Sequence, residues 1–178
     1  KHRMDRYTVE PVADLKRIVA KPQAGKQSPW YARKVIRRIS VYVTWLLLHT
    51  NITANQVTVL QTIVGFAGFL FLCRTHIGWA LLGIALIQLS YVLDCVDGEI
   101  ARYRRSSSVN GIFLDFFNHV SIIPLIPVGL GFHFYALSGH SLLIYPVLGV
   151  LGGLFSMSPI NLATNETLLY LLTKRKSP

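Results

Sequence analysis

The hydrophobic residues of this chain fall in long uninterrupted stretches, not in the period-two or three-and-four spacing of half-buried elements. Four stretches, at about 55–73, 77–101, 111–135 and 141–157, are separated by polar or turn-rich joints at 51–54, 74–76, 103–110 and 138–140. A helix needs about 20 predominantly apolar residues to cross a bilayer, and the pattern predicts a transmembrane helix over each stretch. Pro124 and Pro127 predict a bend in the third, and Gly149 with Gly153 allow close packing of the fourth. Upstream, Arg33, Lys34, Arg37 and Arg38 recur at helical spacing and lead into an apolar run at 39–48 that is too short to span. Over 30–50 the pattern therefore predicts a basic amphipathic helix lying at the headgroup level, with Trp45 as its interfacial anchor. Residues 1–29, broken by Pro11, Pro22, Gly25 and Pro29, read as a basic cytoplasmic tail or linker with one short helix near 11–20. Beyond Pro159, the stretch 166–172 is either an interfacial helix or the stub of another span. The expected fold class is all-α: a polytopic helical membrane protein in which an interfacial helix precedes at least four transmembrane helices, the membrane domain filling 51–178.

Composition agrees and adds an orientation. Of 178 residues, 52% are hydrophobic and 15% charged, against about 25% charged in a soluble domain. The net charge is +10, and its placement decides the topology. Eleven Lys/Arg precede Asn51, three are Arg102, Arg104 and Arg105, and three are Lys174, Arg175 and Lys176. By the positive-inside rule all of these face the cytoplasm, and Arg74 alone lies outside. The basic run at 33–38 is read as an anionic-lipid anchor, or as a border of the site that holds an acceptor phosphate. No nucleic-acid partner is expected. Cys73 and Cys95 have no metal or redox spacing and sit toward opposite ends of antiparallel spans, so they are expected as unpaired thiols. The chain starts without Met and without a signal-peptide pattern, and is expected to be a piece of something longer.

The scarce acids carry the chemistry. Four of the eight, Asp94, Asp97, Glu99 and Asp115, lie within or beside apolar helices, where a charge is costly and marks a functional candidate. At 100° per residue Asp94, Asp97, Gly98 and Ala101 share one helix face, and Gly111, Asp115 and His119 share a face of the next helix. Glu99 points elsewhere and is expected to be solvated. Counted at 1.5 Å per residue from the polar joint, Asp94 and Asp97 lie about 12 and 7 Å deep, Asp115 and His119 about 9 and 15 Å, so the two stripes can meet. Three carboxylates and an imidazole make a hard-cation site of the Mg²⁺ or Mn²⁺ kind, of the sort that clamps a diphosphate. Arg102, Arg104 and Arg105 can hold phosphate oxygens. Three other readings fit the acids alone: solvated helix ends paired with those arginines, an aspartate-rich membrane prenyltransferase, and a transporter with acids in its path.

The sequence Asp94-Cys-Val-Asp97-Gly98-Glu-Ile-Ala101-Arg102, eight residues, then Gly111-Ile-Phe-Leu-Asp115-Phe-Phe-Asn-His119 resembles the CDP-alcohol phosphotransferase signature DxxDGxxAR(x8)GxxxDxxxD at seven of its eight fixed positions. Ile52-Thr-Ala-Asn55-Gln-Val-Thr58 is similar to the family's TPNxxT entry to the first span, with Ala54 in place of proline. The resemblance implies six spans, a homodimer, and transfer of a phospho-alcohol group from a CDP-linked donor to an alcohol or alcohol-phosphate acceptor with release of CMP, in phospholipid or related phosphodiester biosynthesis. It implies a two-metal site with Asp94, Asp97 and Asp115 as ligands, Gly98, Ala101, Arg102 and Gly111 bordering the nucleotide, and Asn55 and Thr58 touching it. Where the pattern ends in Asp, this chain has His119. Histidine can serve as base for the acceptor hydroxyl but is a poorer Mg²⁺ ligand, so the second metal is expected to bind weakly or to be Mn²⁺. A catalytically degenerate site is the alternative.

Overall fold

The computed structural model describes residues 10–19, 32–106 and 109–157; most of the tail at 1–29, the stretch at 166–172 and the C-terminal basic triplet lie outside the described residues. The described elements are helical: α1 (Val12–Ile18), a five-residue π-type turn (Ala32–Ile36) running into α2 (Arg37–Leu48), α3 (Ala54–Leu72), α4 (Ile77–Tyr103), α5 (Val109–Leu137) and α6 (Ile144–Met157). The protein is thus a helical polytopic membrane protein. Three helices among the described residues are long and apolar enough to cross a bilayer: Ala54–Leu72, Ile77–Tyr103 and, within α5, Phe113–Leu137. The described part of the fourth expected span, Ile144–Met157, covers about 21 Å against a hydrocarbon core of about 30 Å.

Helix ends follow capping chemistry more than hydropathy. At the start of α3, Thr53 and Gln56 form a reciprocal capping box: the Gln56 N–H donates to Thr53 Oγ1 at 3.3 Å and the Thr53 N–H to Gln56 Oε1 at 2.9 Å. At the end of α4 the Ser106 N–H reaches the Ala101 carbonyl (3.0 Å) and the Arg105 N–H the Arg102 carbonyl (3.2 Å), with Arg105 at φ +48°. This is a Schellman cap whose left-handed position, usually glycine, is an arginine. The same bonding closes α5 through His140 and Gly139, here with the expected glycine at φ +63°. Both helices run about two residues past the apolar limits because the caps, not the end of the apolar run, satisfy the last carbonyls.

Two compact units divide the described chain: residues up to 65 with 87–115, and 66–86 with 116 onward. The first has an apolar core of Leu15 and Val19 from the α1 region, Ile36, Val41 and Leu48 around α2, Val57 from α3, and Val92, Leu93, Val96 and Ile100 from α4. On α2 the buried positions Ser40, Val41, Thr44 and Leu48 form one stripe, and Arg38, Ile39, Tyr42 and Leu46 are exposed. Trp45 is half-buried, with its ring edge-on to His49. The α1 segment straps across the end of α4: Arg102 Nε donates to the Val19 carbonyl at 2.9 Å, and the Tyr103 hydroxyl donates to the Glu10 carboxylate. Arg104 binds the joint between α2 and α3 through the Thr50 and Ile52 carbonyls, at 2.9 and 2.7 Å.

The second unit relies on close backbone approach. A methyl at Gly83 would stand 2.5 Å from the Leu72 nitrogen and 2.7 Å from the Gly68 carbonyl oxygen. One at Gly149 would stand 2.8 Å from the Pro127 carbonyl oxygen and 3.1 Å from the Gly131 Cα, and one at Gly153 2.9 Å from the Pro124 oxygen. Glycine spacing on α6 thus packs against the proline-bearing stretch of α5, which remains one helix through both prolines. The His133 Nδ1 lies 2.6 Å from the Arg74 carbonyl, an acceptor, so that nitrogen carries a proton. Cys73 and Cys95 are free thiols.

Two outcomes follow. Gly149→Val puts carbon where backbone already stands, and overpacking of this kind costs about 1–3 kcal/mol; thermal unfolding in detergent should show a lowered midpoint, with Gly152→Ala, whose nearest neighbour is the Pro127 side chain, affected less. The Glu10 carboxyl is held below its usual value of 4.5, first by the Tyr103 hydroxyl and then by a backbone N–H. A carboxyl lowered on folding stabilises above its unfolded pKa and loses that contribution as pH falls through the folded one. The strap should therefore be intact above about pH 4.5 and loosen only below it, and Tyr103→Phe should abolish this acid step in the protection of 10–19 against proteolysis.

Candidate metal centre

α4 carries Asp94, Asp97, Gly98 and Ala101 along one face, and α5 carries Gly111, Asp115 and His119 at four-residue intervals. One ligand atom from each of Asp94, Asp115 and His119 lies within 4.8 Å of the other two. Opposite ligands of a small divalent ion stand about 4–5 Å apart, so this donor set, two carboxylates and an imidazole, can hold a metal ion with only small adjustment. Asp94 and His119 are half-buried and Asp115 is exposed, which leaves one side of the triplet open.

α3 orients the carboxylates of α4. The Thr58 hydroxyl stands 2.6 Å from Asp97 Oδ2 and 3.1 Å from the Ala54 carbonyl, and its single proton serves the shorter contact. One turn on, Gln61 Nε2 donates to Asp94 Oδ1 at 3.0 Å, and the Ser90 hydroxyl donates to the Gln61 carbonyl at 3.1 Å. Thr58 precedes Gln61 while their partners run from Asp97 back to Asp94, as antiparallel helices require. Asp97 is not one of the three clustered ligands, and its Oδ2 accepts from Thr58. Gln61 is 2% exposed, and its Oε1 has no hydrogen-bond partner. Sequence reading passed over Gln61, although a polar residue one turn after Thr58 in an apolar span was signal enough.

The remaining expected site residues fall around this centre. Asn55 is half-buried in the first turn of α3, and Ala101 and Gly111 are half-buried on their helices. The room above Gly98 is filled by the Arg102 guanidinium, whose Nη1 would be 3.1 Å from an added methyl. Arg102 and Arg104, expected on phosphate oxygens, already bind backbone carbonyls of the α1 region and of the joint before α3; each guanidinium has five N–H donors, so some remain for a ligand. Arg105 is exposed.

One expectation is overturned. Glu99 is 4% exposed, not solvated, and accepts hydrogen bonds from the Ser40 hydroxyl at 2.7 Å and the Thr44 hydroxyl at 2.6 Å. The wheel correctly turned it away from Asp97, but the face it occupies is covered by α2. The signal was on α2: two hydroxyls four residues apart in its buried stripe.

Residues 51–165 match the family model described as CDP-alcohol phosphatidyltransferase. A Thermococcus kodakarensis protein named bifunctional IPC transferase and DIPP synthase is 34% identical over 109 residues, 61% of this chain and 24% of that protein. The chain thus spans about a quarter of that relative's length.

The packing at Gly98 sets a graded expectation. Gly98→Ala meets only the movable end of Arg102, at 3.1 Å, and should leave thermal stability nearly unchanged. Gly98→Val must displace the guanidinium from the helix face, and a loss of about 1–3 kcal/mol is expected in chemical unfolding.

Proposed function

The chain belongs to the CDP-alcohol phosphatidyltransferase family, and on that premise we propose that it transfers a phospho-alcohol group, phosphatidyl or polyol phosphate, from a CDP-linked donor to an acceptor hydroxyl with release of CMP. The observation that carries this reading is the convergence of Asp94, Asp115 and His119 within 4.8 Å, on two helices that hold seven of the eight signature positions. Transferases of this family depend on a metal in general. Asp94 and Asp115 are the proposed ligands here, with Asp97 held beside them by Thr58, and Mg²⁺ or Mn²⁺ as the ion. When bound, the ion neutralises diphosphate charge.

His119 is the proposed base. It takes the proton of the acceptor hydroxyl, whose oxygen bonds to the phosphorus that carries the donor's alcohol. The bridging P–O bond of the diphosphate breaks, and CMP leaves with the electron pair. A ring nitrogen bound to a metal cannot accept that proton, so the two roles of His119 compete unless each uses its own nitrogen. Gly98, Ala101, Arg102 and Gly111 border the nucleotide in this reading, with Asn55 at its edge. Thr58 acts through Asp97, and Arg105 with the spare donors of Arg104 receives phosphate. The site faces the cytoplasm, where 17 of 18 basic residues are assigned. Residues 30–50 form the interfacial element, 51–178 the membrane domain, and the working unit is a homodimer in the bilayer.

A CMP-release assay on the full chain, with Mg²⁺ or Mn²⁺ and a panel of CDP-alcohols and acceptors, tests the proposal. At least one pair should yield CMP, and Asp115→Asn should reduce it by about a hundredfold or more. His119→Ala should lose transfer while His119→Asp retains it; full activity of the alanine variant would refute the base role. CMP from no pair would favour a degenerate site.

A further inference from the structure

Glu99 lies in a gap of the signature and takes no part in the chemistry proposed above, yet both of its carboxylate oxygens are hydrogen-bonded. Its two oxygens each accept a hydroxyl, from Ser40 and from Thr44, both 0% exposed. It stands two positions after Asp97, which on a helix turns it by about 200°. The two carboxylates therefore leave α4 on nearly opposite sides. On one side Thr58 and Gln61 of α3 bind Asp97 and Asp94; on the other, α2 binds Glu99.

We propose that Glu99 is a positioning residue: held by Ser40 and Thr44, it fixes the rotation of α4 about its axis and so the aim of Asp94 at the metal and the place of Asp97 beside it. The inference rests on the metal reading of the Asp94, Asp115 and His119 cluster. The geometry makes rotation the sensitive coordinate. A side-chain terminus lies about 6 Å from a helix axis, and a 20° turn moves it by about 2 Å, well beyond the roughly 0.5 Å within which a functional constellation must be held. Apolar packing resists such a turn weakly, because the faces of a membrane helix are chemically alike. A buried carboxylate resists it strongly, because any rotation that separates it from its two donors leaves a charge in a low dielectric. α2 is a firm anchor for the purpose. Its far end is tied back to α4 by Arg104 through the Thr50 and Ile52 carbonyls, so Glu99 and Arg104 hold two levels of the same helix.

Mn²⁺ alone, titrated into the purified full chain in nanodiscs and followed by electron paramagnetic resonance, reads the aim of the carboxylates without turnover. Thr44→Val keeps the volume and branching and removes the hydroxyl; Thr44→Ser keeps the hydroxyl and removes a methyl. Groups bonded directly to a metal ligand change affinity by about 10–100-fold, and Thr44, which acts through Glu99 and the helix, is expected at the low end of that range. Thr44→Val should weaken Mn²⁺ binding by about tenfold, Ser40→Ala with Thr44→Val by more, and Thr44→Ser should bind like wild type despite its packing defect. Equal weakening by Val and Ser would reduce Thr44 to a packing residue and overturn the proposal, as would wild-type affinity in Thr44→Val. Should the double variant fail to fold, Glu99→Gln keeps the shape with one acceptor oxygen, and its expected result is an intermediate loss. Wild-type chain that binds no Mn²⁺ would sink the metal reading itself, a failure distinct from that of the clamp.

Discussion

The first unit is organised by the need to satisfy carboxylates that an apolar helix carries into a low dielectric. α4 holds Asp94, Asp97 and Glu99 within six residues, and an ionised carboxylate buried without donors costs several kcal/mol. Each has donors on a neighbouring helix: Gln61 and Thr58 on α3, Ser40 and Thr44 on α2. These bonds decide which faces of α2 and α3 turn toward α4, and the apolar core of Val41, Val57, Val96 and Ile100 closes around the arrangement. Hydrocarbon surfaces alone do not select such a rotation, since lipid tails are as apolar as the side chains they would replace.

The polar end of α4 follows the same logic with the signs reversed. Arg102 and Arg104 lie where backbone carbonyls need donors, at Val19 and at the Thr50 to Ile52 joint, and their bonds draw the α1 segment and the α2–α3 joint onto the helix. The second unit solves its packing differently. Gly83, Gly149 and Gly153 let backbones come within contact of one another. Charge is nearly absent from that unit's described helices, so close approach and dispersion stand in for hydrogen bonds.

Much of this could be read from the sequence, for identifiable reasons. The three long helices and the stripes of Asp94 with Asp97 and Asp115 with His119 follow from apolar run length and a 3.6-residue period, and both are local. What was missed depended on neighbours. A helical wheel shows that Glu99 leaves Asp97's face but not that α2 covers the side it turns to. Arg102 and Arg104 bind carbonyls, which have no signature in sequence. Gln61 lies outside the signature, and only the pairing of α3 with α4 brings it to Asp94. The length of the fourth apolar stretch was read from composition, whereas its described helix starts only at Ile144, after the cap of α5 and the joint that follows it.

The pairing of α3 with α4 has a mechanical consequence. Thr58 and Gln61 engage Asp97 and Asp94 as two teeth engage two notches, three residues apart on each helix. Sliding one helix by a single turn, about 5.4 Å, would part at least one carboxylate from the donor it has now, so the intermediate positions are penalised as well as the displaced ones. The pair is a lock with one register, not a piston. Rearrangement around an incoming substrate must be taken up by elements other than these two, and the carboxylates of α4 keep their spacing while it happens.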